Sequence, residues 1–238
     1  MAGHSQFKNI MHRKGAQDAK RAKVFTKIIR EITVAAQMGG ADVDANPRLR
    51  TALLAARAAN MPKDNIERAI KKGSGEASDV IYNEMRYEGY GPGGVAIIIE
   101  ALTDNRNRTA AEVRSILTKH GGRMADTGSV TFVFKHKGMI LYGQENNEEA
   151  LLEASLNAGT DDFIALDDGF EISAPKEAWH TVREQLEKEF GPPLNAALVW
   201  VPDVMVTLGD KKESFTKLVN LLEDCDDVQA VWHNAEGE

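Results

Sequence analysis

A chain of 238 residues that is 42% hydrophobic and 6% aromatic can bury one large core or a few smaller ones, which excludes a fibrous or disordered chain. Its single cysteine, Cys225, excludes an internal disulfide framework and a Cys-based zinc site. No apolar run approaches the roughly 20 residues of a membrane-spanning helix, and the formal net charge of −7 argues on its own against a polyanionic partner.

The distribution of that charge argues the other way. Residues 1–77 carry 15 Lys and Arg against 7 Asp and Glu, whereas residues 78–238 carry 14 against 29. Such an asymmetry points to a basic unit with a nucleic-acid partner, joined to an acidic body. Residues 1–12 have no apolar periodicity and are expected to form a mobile arm. The first residues carry charge where a signal peptide needs an apolar core, so a cytoplasmic protein is expected. From about residue 18, Phe25, Ile28, Ile29, Ile32 and Ala36 recur at helical spacing, with Lys20, Lys23, Lys27 and Arg30 on the opposite side. Met38-Gly39-Gly40 ends this helix. Asn46-Pro47 reads as an N-cap and first helical position, opening an Ala-rich helix through Ala59. Met61-Pro62 opens a shorter helix with Ile66, Ala69 and Ile70, closed by Lys71-Lys72 and a cap at Gly73. Residues 73–75 are the expected hinge.

Beyond the hinge the period changes. A strand is expected over 95–102, a helix over 109–119 with Val113, Ile116 and Leu117, and a β-rich stretch over 130–134. A second β-α-β unit follows near the end: 204–208, a helix with Phe215, Leu218, Val219 and Leu222, then 228–232. Between these halves the residues 138–202 read as strand 139–142, helix 148–157, strands 163–166 and 170–173, helix 176–190 and strand 198–201. The expected class is α+β: an N-terminal all-helical domain followed by two ferredoxin-like β-α-β-β-α-β domains, one inserted in the other. The boundaries are 1–77, then 78–136 plus 203–238, with 137–202 inserted.

Chemistry of the catalytic kind finds little support. His4, His12, His120, His136, His180 and His233 show no metal-binding spacing, and the Asp pairs 161–162, 167–168 and 226–227 do not match a calcium loop. Cys225 sits among acids that raise a thiol pKa, and no Gly-x-Ser-x-Gly elbow is present. Residues 89–94 are Gly-rich but lead into a strand, so they read as a tight turn in preference to a phosphate loop. No cofactor, metal or catalytic residue is expected. Residues 104–109 leave two readings open: an anion site at a helix N-terminus, or a simple cap by Asn107 or a neighbour.

The basic cluster is the stronger signal. A solvated helix face usually mixes signs, with Glu and Lys paired four apart, whereas Lys20, Lys23, Lys27 and Arg30 are expected to stand outward and unpaired. Phosphate neutralisation by Lys8, His12, Arg13, Lys14, Lys20, Arg21, Lys23, Lys27 and Arg30 accounts for the pattern. Tyr87, Tyr90, Asn105, Arg106 and Arg108 make a candidate second contact loop. A major-groove helix pair within 46–72 is a weaker reading.

Several of these stretches resemble the YebC family. Gly3-His4-Ser5, His12-Arg13-Lys14, residues 16–21 and Phe25-Thr26-Lys27 are similar to its N-terminal signature, residues 87–94 and 102–109 to its central one, and Asp226-Asp227-Val228-Gln229 with His233-Asn234 to its C-terminal end. Phe7 stands where the family usually has Trp, and Trp232 where Tyr is common. The resemblance implies a helical domain plus two α/β domains arranged in a cleft, no known reaction, and a cytoplasmic DNA-binding transcriptional regulator. Family relatives tied to translation and ribosomes imply an alternative: a ribosome-associated RNA-binding translation factor contacting ribosomal RNA, with the loop 87–94 reaching a functional centre. The partners expected are nucleic acid and a protein met through the acidic domains, with the chain a monomer. An enzyme using Tyr90, Asp104 and Arg106 in the interdomain cleft would lack a nucleophile with its base, a metal set and a nucleotide motif.

Overall fold

The computed structural model describes the backbone of residues 18–75 and 81–236, with side chains from residue 22 onward. The expected mobile arm at 1–12 lies outside the described residues. Three helices come first: α1 (Asp18–Gly39), α2 (Pro47–Ala58) and α3 (Lys63–Ser74). Ile32, Ala35, Leu49, Ala52, Ala56, Met61 and Ala69 close a small core between them. Asn46 joins the first two helices. Its side-chain oxygen accepts the Leu49 N–H at 3.0 Å as the N-cap of α2, while its amide donates to the carbonyls of Ala35 and Gly40 at the end of α1 at 2.8 and 2.9 Å. One buried side chain therefore serves two helix ends.

Gly73 corrects an expectation. Instead of capping α3, it lies inside the helix where α3 crosses α1, and a Cβ there would stand 2.3 Å from the Thr33 carbonyl oxygen and 2.7 Å from Ala36 Cβ. The glycine is needed for close helix approach, and the helix ends one residue later, at Ser74.

An outer sheet follows, built from β1 (Asn83–Tyr90), β2 (Ala96–Thr103), β3 (Arg123–Ala125) and β9 (Val228–His233) in the order β3-β1-β2-β9, every pair antiparallel. Helices α4 (Arg106–Lys119) and α7 (Lys212–Asp224) cover one face. Ile97, Ile99, Val113, Leu117, Phe215 and Leu222 are among the side chains packed there. Within the insert, β4 (Phe134–Gly143), α5 (Glu148–Ala158), β5 (Asp162–Leu166), β6 (Gly169–Pro175), α6 (Trp179–Phe190) and β7 (Asn195–Pro202) run in the expected β-α-β-β-α-β order, with sheet order β5-β6-β4-β7. The molecule is α+β: a three-helix region, then two four-stranded antiparallel sheets with their helices.

The outer sheet departs from the expected element order in two places. Residues 131–133 form a 3-10 turn instead of a strand. The cause is the buried Glu88 carboxylate on β1, which accepts the backbone N–H groups of Gly128, Val130 and Thr131 at 2.9, 2.8 and 3.3 Å and so takes them from any ladder. The strand expected at 204–208 shrinks to β8 (Val206–Thr207), paired in parallel with β10 (Ala235–Glu236) away from the main sheet. Its place is taken by β1, whose Glu84-Arg86-Glu88 face is too polar to read as a strand that meets another sheet.

The other faces of the two sheets meet. Ala96, Ile98 and Trp232 of the outer sheet pack with Met139 and Val199 of the inner one. Alternate residues of β2 thus reach two different cores, which explains why its sequence is an almost unbroken apolar run. Glu100 sits in this junction and accepts both the Trp200 and Trp232 indole N–H groups at 3.0 Å, so the polar edge of Trp232 has a definite partner. His136 stacks on Trp200 with ring centroids 4.2 Å apart. The helical region reaches the insert through α2: Leu54 joins the inner core, which the insert's sheet forms with α5 and α6 around Ile140, Leu151, Ile172 and Trp179, and the Arg183 guanidinium donates to the Thr51 hydroxyl at 2.5 Å.

Overpacking at the α1–α3 crossing is directly testable. Gly73→Ala is expected to destabilise the protein by about 2 kcal/mol, because the carbonyl it meets belongs to helix backbone and cannot turn aside. Denaturant unfolding should show a lowered midpoint, and an unchanged midpoint would contradict the close approach.

Candidate nucleic-acid interface

The helix that carries the cationic ridge does not present it all to solvent. Lys23 Nζ lies 3.0 Å from an Asp224 carboxylate oxygen and donates to that residue's carbonyl at 3.2 Å. Lys27 Nζ donates to the Glu223 carbonyl at 2.7 Å. Arg30 Nη1 lies 2.8 Å from three acceptors: the carbonyls of Leu102 and Asp226 and the Asp227 carboxylate. The expectation that these three stand outward and unpaired is therefore corrected. They dock on the last turn of α7 and the turn into β9, where C-terminal backbone carbonyls, the negative end of the helix and four acids (Glu223, Asp224, Asp226, Asp227) coincide. Lys8, His12, Arg13 and Lys14 lie outside the described residues, as do the side chains of Lys20 and Arg21.

Asp227 is the centre of this junction. Its carboxylate accepts from Arg30 and Arg108 at 2.8 Å each, from the Thr109 hydroxyl at 2.5 Å and from the Thr103 hydroxyl at 3.1 Å. Its backbone carbonyl accepts the Leu102 N–H at 2.9 Å. Burial pushes the carboxyl pKa up, but the hydrogen bonds from Arg108 and Thr109 and the charge of Arg30 outweigh it, holding the group below its ordinary 3.8.

The same contacts decide between the two readings of residues 104–109. Asn105 is the N-cap of α4, its side chain accepting the Arg108 N–H at 3.1 Å. An anion does sit at this helix start, and it is the protein's own Asp227.

The candidate second contact loop is not one site. Tyr87 is buried in the core beneath α4 and α7, and burial raises its pKa. Tyr90 donates its hydroxyl to the Ser129 carbonyl at 3.0 Å, with the Arg123 guanidinium 5.0 Å above its ring. Arg106 donates to Asn83 at 2.6 Å, and Arg108 is bound to Asp104 and Asp227. Because Tyr90 pairs with Ala96 and Asn83 with Thr103, Tyr90 and the 105–108 group lie at opposite ends of one hairpin, roughly 23 Å apart at about 3.3 Å per residue. Asp104 and Arg106 are separated from Tyr90 by the same span, so the three do not share a cleft.

Further charged residues, which the periodicity did not single out, tie the units together. Arg48 bridges Glu31 and Glu84 on β1, and Arg50 pairs with Glu184 on α6. Their partners lie up to 134 positions away, and no local spacing reveals such a pair. Among the described residues of the helical region, Arg57, Lys71 and Lys72 are exposed and make no ion pair to a described carboxylate. Cys225 is buried, its thiol pushed up to about 12 by burial and by a hydrogen bond with Glu112, which makes it a poor nucleophile. No group of three or more His, Cys, Asp or Glu among the described residues could hold a metal ion, and none of their helices is long and apolar enough to cross a membrane.

Removing the central carboxylate has a defined consequence. Asp227→Ala leaves the Arg30 guanidinium with two carbonyls and the Tyr82 ring but without its carboxylate, and is expected to cost on the order of 3 kcal/mol. Since the native carboxyl pKa is depressed, its contribution is complete above the unfolded value near 3.8 and disappears as the pH falls through the native value. The stability of Asp227→Asn should accordingly approach that of the wild type in acid and fall short of it at neutral pH. Parallel pH profiles of the two unfolding midpoints would contradict the assignment.

Similarity to known proteins extends over both the helical region and the sheets. Residues 5–76 match the TACO1/YebC protein N-terminal domain, and residues 82–235 match the TACO1/YebC second and third domain, a family designated as transcriptional regulators. The crystal structure of a conserved hypothetical protein, Aq1575 from Aquifex aeolicus, is 45% identical, covers 92% of this chain and 91% of its own, and superposes with a TM-score of 0.80. With matches of this extent over all of its units, the chain belongs to the TACO1/YebC family.

Proposed function

We propose that this protein is a cytoplasmic DNA-binding transcriptional regulator that holds phosphates with the basic N-terminal segment through the first turn of α1. The observation that carries the reading is the division of labour along that segment. Eight cations face one acid in the first 30 residues, and the last three of them fasten α1 to the acidic body. Lys8, His12, Arg13, Lys14, Lys20 and Arg21 are then the group assigned to phosphate. An acidic body repels a polyanion, so DNA is steered to the basic side of the molecule. Contacts of this kind give affinity and register without reading sequence. The family designation supports transcription as the process served. The protein acts by binding: Tyr90, Asp104 and Arg106 are dispersed, and Cys225 is a buried, weakly acidic thiol.

The test separates anchoring from phosphate binding. Fluorescence anisotropy on duplex DNA across a salt series gives a log–log slope that reports how many phosphates the protein neutralises. Replacing Arg13, Lys14, Lys20 and Arg21 together by neutral residues should reduce that slope by about 0.9 for each phosphate left without its cation. Neutralising Lys23 and Lys27 should leave the slope nearly unchanged and lower the unfolding midpoint. An unchanged slope in the first variant rejects the assignment. Tighter binding to a structured RNA of equal length at every salt concentration would replace DNA by ribosomal-type RNA as the target.

A further inference from the structure

The inserted domain carries an unusual helix face. Residues 137–202 hold 13 Asp and Glu against 4 Lys and Arg, and helix α5 has Glu148, Glu149 and Glu153 with no cation at all. The helix buries Leu151 and Ser155 completely, with Ala154 and Ala158 beside them in the inner core. Those four positions are one stripe at the i, i+3, i+4, i+7 spacing. On the outward side a second stripe has the same spacing: Glu149, Leu152, Glu153 and Leu156. All four are exposed, Leu152 by 37% and Leu156 by 66%.

A helix face meant only for water usually alternates charge sign. This one sets two glutamates four apart, an arrangement that disfavours an isolated helix, and places two leucines one turn apart in solvent. Both features become favourable against one kind of surface, which supplies positive charge to the glutamates and apolar atoms to the leucines. We infer that the outer stripe of α5 is a docking site for a basic amphipathic helix of another protein, with Lys or Arg flanking apolar residues at three- and four-residue intervals. Other occupants fit badly. Nucleic acid and anionic lipid are repelled by the glutamates, and a second copy docked α5 to α5 would gather four glutamates in one interface with no cation from either helix to neutralise them. The site is independent of the basic N-terminal segment, because it lies on the insert and uses the opposite charge.

Site-specific photocrosslinking in cells tests the assignment, with a photoreactive residue replacing Leu156 in the full chain and mass spectrometry of the crosslinked peptides. The expected adduct is one recurring polypeptide segment with net positive charge and apolar residues at helical spacing. It should fall at least about tenfold when Glu149→Lys and Glu153→Lys are introduced together, while duplex DNA binding and the unfolding midpoint stay as in the parent. Adducts only to nucleic acid, adducts to a second copy of this chain, or an adduct that survives the charge reversal would each overturn the proposal. So would the absence of any adduct that a photoreactive residue at exposed Leu194 does not also give.

Discussion

The Asp227 carboxylate is the contact on which the arrangement of the helical region and the outer sheet depends. Four side chains from three elements converge within about one hydrogen-bond length of it: Arg30 from α1, Thr103 at the end of β2, and Arg108 and Thr109 from the first turn of α4. A buried carboxylate is tolerated only when its lone pairs are filled and its charge is matched. Each partner is thereby constrained by the same atom pair, and a shift of any one element strands a charge. The cap of α4 and the docking of α1 are in this sense a single arrangement.

Two further carboxylates on the face toward the insert work on the same principle with different partners. Glu88 gathers three backbone N–H groups and shapes the turn that leads from the outer sheet into the insert. Hydrogen bonds to the charged form hold its pKa low despite the opposing effect of burial. Glu100 takes one indole N–H from each of the two sheets. The outer sheet therefore fixes the helical region at one end of its strands and the insert across its face, using acids that a tally of composition counts only as negative charge.

The segregation of charge between the ends of the chain has two consequences that compete for the same residues. Cations of α1, α2 and their acidic counterparts attract one another within the molecule, and Lys23, Arg30, Arg48 and Arg50 are engaged in this way. Only what lies beyond these internal pairs is available to a polyanion. A basic stripe read from sequence is thus an upper bound on a binding surface, because carboxylates far along the chain can already neutralise it.

Residue spacing by itself determined the helices and most strands, since burial of one face imposes its period on the apolar positions, and it was sufficient for the β-α-β-β-α-β insert and for the cap at Asn46. It also determined the charge asymmetry and the resemblance to the family. Tertiary structure alone decided where Lys23, Lys27 and Arg30 point, because their acceptors are some 70 to 200 residues away and no local period encodes such a distance. It decided that Gly73 serves helix crossing and not a helix end, that β1 replaces the strand expected at 204–208, and that Tyr90 and Arg106 are apart. In each case the deciding term is a contact between segments distant in the chain, whose geometry only the packed molecule specifies.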